Sequence, residues 1–186
     1  MKKAAVCLLT VVLLCGCKGQ NRQLSEMLAF REKLLSAEKC SFSLQVDADF
    51  GTTVQEFGMD CEADRKGTVH FAVTAPETIR GIEGTLEGEG GKLEFRDTGV
   101  TFGYLAEGRL NPVSVPWMLV HTLRGGYLTS CGPSGDGIRA GIEDSYREDA
   151  LHMDFWFSAD MVPEGGEITW NGQKILAFRI RNFSLG

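Results

Sequence analysis

Past its first 14 residues the chain has no apolar run approaching the roughly 20 residues that a transmembrane helix needs, which excludes a helical membrane span there. It has no basic excess either: 19 Lys and Arg against 25 Asp and Glu give a formal charge of −6. Nucleic-acid binding draws on Lys and Arg neutralising phosphates, so nucleic acid is excluded as a partner, and so is electrostatic docking on anionic lipid. Histidine is scarce, and His70, His121 and His152 are scattered singly without HxxxH, HxH or Cys/His spacing. This excludes a zinc site of ordinary sequence pattern. There are only 5 prolines, no internal repeat and no low-complexity tract.

What is present begins with location. Met1-Lys2-Lys3 is a cationic start, Ala4 to Leu14 an apolar stretch, and Leu14-Cys15-Gly16-Cys17 its end. The layout is that of a secretory signal. Its end resembles the bacterial lipoprotein signal, with Leu14 three residues before Cys17 and small Gly16 just before it. The resemblance implies that diacylglycerol is attached to the Cys17 sulfur, with further acylation such as palmitate, and that the chain is cut on its amino side. The alternative is an ordinary secretory signal ending in cysteine. The expected organisation is a signal peptide over 1–16, a lipidated tether over 17–22 and one domain over 23–186, on the outer side of the cell membrane. Loss of Lys2 and Lys3 takes the charge from −6 to −8. With so acidic a chain, anchorage rests on the acyl chains, each buried methylene contributing about 0.8 kcal/mol.

Gln23 to about Ala37 reads as an amphipathic helix, with Leu24, Met27, Leu28, Leu34 and Leu35 at three- and four-residue spacing. From Cys40 the period becomes two. Phe42, Leu44, Val46 and Ala48 alternate with polar residues, as do Phe57, Met59, Cys61 and Ala63 after Phe50-Gly51. A two-residue loop at Phe50-Gly51 would set Cys40 opposite Cys61 in a non-hydrogen-bonded pair, close enough for a disulfide; two buried free thiols are the other reading. Further strands are expected over Val69–Ala75, ended by Pro76, then at Ile82–Leu86 and Lys92–Phe95 around a Gly88–Gly91 turn, and at Val100–Tyr104. A helix runs from a Ser114 cap through Pro116 and Trp117 to Arg124, stopped by Gly125-Gly126. Ile138, Ala140, Ile142 and Tyr146 pair with Leu151, Phe155 and Phe157, and a last strand carries Leu176, Phe178 and Ile180. The fold class is α+β: one dominant, curled antiparallel sheet (an incomplete β-barrel) covered by an N-terminal helix and a mid-chain helix.

Catalytic patterns are missing. Cys131-Gly132-Pro133-Ser134 has Ser134 where a redox pair needs its second sulfur, and Gly132–Asp136 reads as a loop, without the strand-turn-helix of a nucleophile elbow. Glu87/Glu89 and Glu143/Asp144 sit in turn or solvent-facing contexts. The expectation is no enzyme, no metal and no cofactor.

Three stretches resemble the LolA/LppX-like lipoprotein-carrier group: Phe71-Ala72-Val73-Thr74-Ala75-Pro76 with Ile79; Asn111-Pro112 through Trp117-Met118-Leu119 to Leu123; and Asp154-Phe155-Trp156-Phe157, Val162-Pro163, Ile168–Gly172 and Phe178–Phe183. The carriers of that group are soluble, whereas this chain has an anchor cysteine. It is more similar to membrane-anchored Gram-positive relatives, including clostridial germination lipoproteins in which the fold is a protein-binding scaffold. The resemblance implies a concave apolar sheet face binding a lipid, an acyl chain or a lipidated peptide. Leu44, Val46, Phe57, Phe71, Val73, Trp117 and Phe155 are its candidate lining, or else part of a closed core. The alternative is a scaffold with a filled core that holds a cell-envelope protein such as a cell-wall enzyme.

Overall fold

The computed structural model describes residues 18–87, 94–95, 105–108 and 110–186. Cys17, the Gly88–Gly91 turn and the expected strand at Val100–Tyr104 lie outside the described residues. Helix α1 spans Lys18–Ser36, so residues 18–22, expected as tether, are already helical. Ten strands follow among the described residues: β1 Lys39–Asp49, β2 Val54–Asp64, β3 Val69–Ala75, β4 Glu83–Leu86, β5 Glu94–Phe95, β6 Tyr127–Ser134, β7 Gly137–Glu143, β8 His152–Phe157, β9 Pro163–Trp170 and β10 Gln173–Leu185. Helix α2, Val115–Gly125, separates β5 from β6.

The strands form one antiparallel sheet in the order β5-β4-β3-β2-β1-β10-β9-β8-β7-β6. Two meanders are joined where the first long strand, β1, pairs with the last, β10. The sheet curls without closing, and β5 and β6 are its edges. Its strands alternate as the sequence does: β1 buries Cys40, Phe42, Leu44, Val46 and Ala48. α1 adds Met27, Phe30 and Leu34 to the same core, and α2 adds Val115, Leu119, Val120 and Leu123. Each such side chain contributes about 1.5–3 kcal/mol on burial, which anchors both helices over the concave face.

Two expectations are corrected. The β1–β2 loop has four residues, 50–53, closed by the Phe50 N–H donating to the Thr53 carbonyl at 3.0 Å. Gly51 sits at φ +82°, and its N–H donates to Asp49 Oδ1 at 2.7 Å. Register therefore moves by two: Cys40 faces Ala63, Phe42 faces Cys61, and Cys40 and Cys61 are both free thiols rather than a disulfide. A shift of two preserves every inward-facing side chain, so the apolar pattern is blind to it and the turn decides. Second, Cys131-Gly132-Pro133-Ser134 is not loop but part of β6. Proline is tolerated there because an edge strand leaves one row of N–H groups unpaired.

Candidate binding site

The seven candidate lining residues do come to one side of the sheet. Val46 faces Phe57 across β1 and β2, and Val73 of β3 faces Met59. Phe155 of β8 meets Phe178 edge-on, with ring centroids 5.5 Å apart. Leu44, Val46, Phe57, Phe71, Val73 and Phe155 are all buried, while Trp117 is partly buried and stacks on His121 at 4.8 Å. They are core. Where Leu34 and Leu119–Leu123 meet Cys40, Phe42, Ile180 and Phe183, the space left is about 10 Å³, no more than one water would fill.

The covering helices are tied down by two arginines that pattern reading did not single out. Arg31 Nε of α1 donates to the Leu123 carbonyl of α2 at 2.8 Å. Arg124 Nη1 donates to the Asp64 carbonyl at the β2–β3 turn at 2.9 Å. The first bond satisfies a carbonyl in the last turn of α2, where intrahelical partners run out.

A larger concavity opens at the surface. α1 runs past the end of β10 and the 158–162 turn, leaving a groove of about 380 Å³. Its floor is Ala29, Phe30, Met161, Val162, Phe183 and Leu185, and Glu26, Lys33 and Asp160 stand at its rim. Phe30 holds the floor together, with its ring 5.0 Å from Phe157 and 6.1 Å from Phe183. The volume lies within the range of small-molecule sites. Phe30 and Phe183 belong to opposite ends of the chain, so nothing local in the sequence brings them together.

The thiols are not disposed to react. Burial, then the nearby Asp60 charge, then Cys40 push the Cys61 thiol far up. Burial likewise raises Cys40 and Cys131. Nucleophile and metal ligand alike require thiolate, and no cluster of three His, Cys, Asp or Glu able to hold a metal occurs among the described residues. Asp144 is structural: its Oδ1 accepts from the Leu151 N–H at 2.9 Å.

The outer face of β7–β8 carries an ion pair absent from the sequence expectations. Arg139 donates from Nε and Nη2 to the two oxygens of Asp154 at 2.9 and 2.6 Å, and His152 Nε2 lies 3.6 Å from Asp154. Burial alone would raise the Asp154 carboxyl, but the Arg139 bonds and charge, with His152 beside them, hold it below the usual range.

No protein-family model and no curated protein matches the chain. Among solved structures it is similar to an uncharacterized conserved protein from Thermus thermophilus, 13% identical, TM-score 0.46, covering 88% of this chain and 87% of that one. It is also similar to a LolA superfamily protein from Nitrosomonas europaea, 9% identical, TM-score 0.45, covering 86% and 93%. A third is the lipoprotein LppX of Mycobacterium tuberculosis, 10% identical, TM-score 0.37, covering 86% and 95%.

Proposed function

We propose that this is a non-enzymatic lipoprotein, held to the outer side of the cell membrane through diacylglyceryl-Cys17, that binds a hydrophobic ligand in the groove beside α1. The observation that carries the reading is the groove of about 380 Å³ with an apolar floor, against the about 10 Å³ left where the two helices meet the sheet. The ligand class is an acyl chain, whether of a lipid or of a lipidated peptide. Apolar area removed from water would supply the affinity, and the charged rim at Glu26, Lys33 and Asp160 would orient a polar head.

The test is photo-crosslinking of the mature lipoprotein with a diazirine fatty acid, followed by peptide mapping. Adducts at Phe30, Met161 or Phe183, lost in Ala29→Arg, support the groove. Adducts at Leu44, Phe71 or Val73 would instead mean that the helices lift and the concave face itself receives the chain. No adduct at all would move the function to the second reading, an envelope scaffold. The small space of about 10 Å³ beneath the two helices favours that reading, because a scaffold needs no internal space.

A further inference from the structure

The leucines of α1 do not all face the core. Met27, Phe30 and Leu34 are buried, whereas Leu24, Leu28 and Leu35 remain 38%, 50% and 51% exposed. At 3.6 residues per turn, intervals of four and seven place these three on one continuous stripe along α1, separate from the buried face. Arg31, which falls within the stripe, turns its guanidinium away to the Leu123 carbonyl. Along the sequence the same two-turn interval of seven separates Leu24 from Cys17, the residue that directly precedes α1. The anchor proposed at Cys17 thus lies next to α1 in sequence, and α1 carries an uncovered apolar stripe.

We infer that the stripe Leu24–Leu28–Leu35 rests in the interfacial layer of the bilayer that holds the anchor, so that α1 lies along the membrane and fixes the domain's orientation. The inference rests on the anchorage of Cys17. An exposed apolar stripe on a helix of low overall hydrophobicity can take up this position, reaching the boundary between headgroups and acyl chains. The chain's formal charge of −6 gives it no net electrostatic pull toward an anionic surface to do the same work. Glu26 and Lys33, at the groove's rim, fall on the opposite side of α1 from the stripe, so the groove would open away from the bilayer.

Site-directed spin labelling of the full lipoprotein in phosphatidylcholine vesicles tests this. Labels are placed through Leu28→Cys or, as reference, Lys66→Cys in the β2–β3 turn, each in a Cys131→Ser background. The expected result is a label at 28 reached by oxygen and shielded severalfold from a water-soluble nickel relaxant, with the opposite at 66. Vesicle-bound protein whose label at 28 meets the nickel reagent as freely as that at 66 would overturn the inference while leaving the anchor intact. Spin–spin broadening at 28, retained in detergent micelles, would overturn it in favour of a second copy on the stripe. Failure of the lipoprotein to float with vesicles would remove both the anchor and the inference.

Discussion

Arg31 on α1 reaches across to α2 and donates from Nε to the Leu123 carbonyl at 2.8 Å, joining the two helices that roof the sheet. The rest of the roof is held mainly by apolar, non-directional burial, so this bond, with Arg124 to the Asp64 carbonyl, gives the cover a fixed geometry. Arg31→Met keeps most of the stem and removes the bond. Stability should fall by about 1.5 kcal/mol, the usual scale for a hydrogen bond from a charged group. Arg22→Met, which breaks only the exposed pair with Glu26, should change it by less than about 0.5 kcal/mol. Equal losses in urea denaturation would show that the latch does nothing particular.

Asp154 makes stability depend on acid. Its carboxyl titrates lower in the folded than in the unfolded chain, so the unfolded state binds more protons in that range. The contribution is complete above the ordinary Asp value of about 3.9 and disappears as pH falls through the lower folded value. Arg139→Gln should leave a poorly solvated carboxylate and cost about 1–3 kcal/mol at neutral pH. In that variant stability should decline less on acidification to pH 3 than in the parent. Identical acid limbs would refute the assignment.

Cys40 and Cys61 should stay protonated and unreactive. Mass mapping of non-reduced protein should find both free, and alkylation in the folded state should be slow even near the ordinary thiol pKa of about 8.5. A peptide pair joined through Cys40 and Cys61 would contradict the β1–β2 register.

Gly166 permits a close approach that no other residue allows. A Cβ there would fall against the Asp154 carbonyl oxygen and 2.5 Å from Phe178 Cζ. Gly166→Ala should cost about 3 kcal/mol through overpacking. Gly132→Ala has nothing within 4 Å of the new carbon and should stay within about 0.5 kcal/mol. The denaturation midpoints of the two variants check this directly.

Cys17→Ala should abolish labelling by a fatty-acid probe and release the protein from the membrane fraction. Labelling that survives the substitution would sink the anchor.

Much of the fold was written locally. Period-two alternation in 40–48 and 57–63 told which side chains turn inward, because the facing of a strand depends only on parity. Period-three-and-four spacing gave the first helix, and Ser114, Pro116 and Gly125-Gly126 marked the second.

Parity is also where that information stops. Nothing in the alternation separates Cys40 facing Cys61 from Cys40 facing Ala63, and the four-residue turn at 50–53 decided it. β6 lacked a pattern to read, since an edge strand with Gly132 and Pro133 buries neither face consistently. The Arg139–Asp154 pair depended on β7 and β8 coming into register. The groove depended on still more: β10 closing against β1 carries Phe183 and Leu185 back to Phe30. Local periodicity selects which residues are buried; only the assembled sheet selects which residues meet, because contact between distant segments is set by register and curl rather than by the hydrophobicity of either segment.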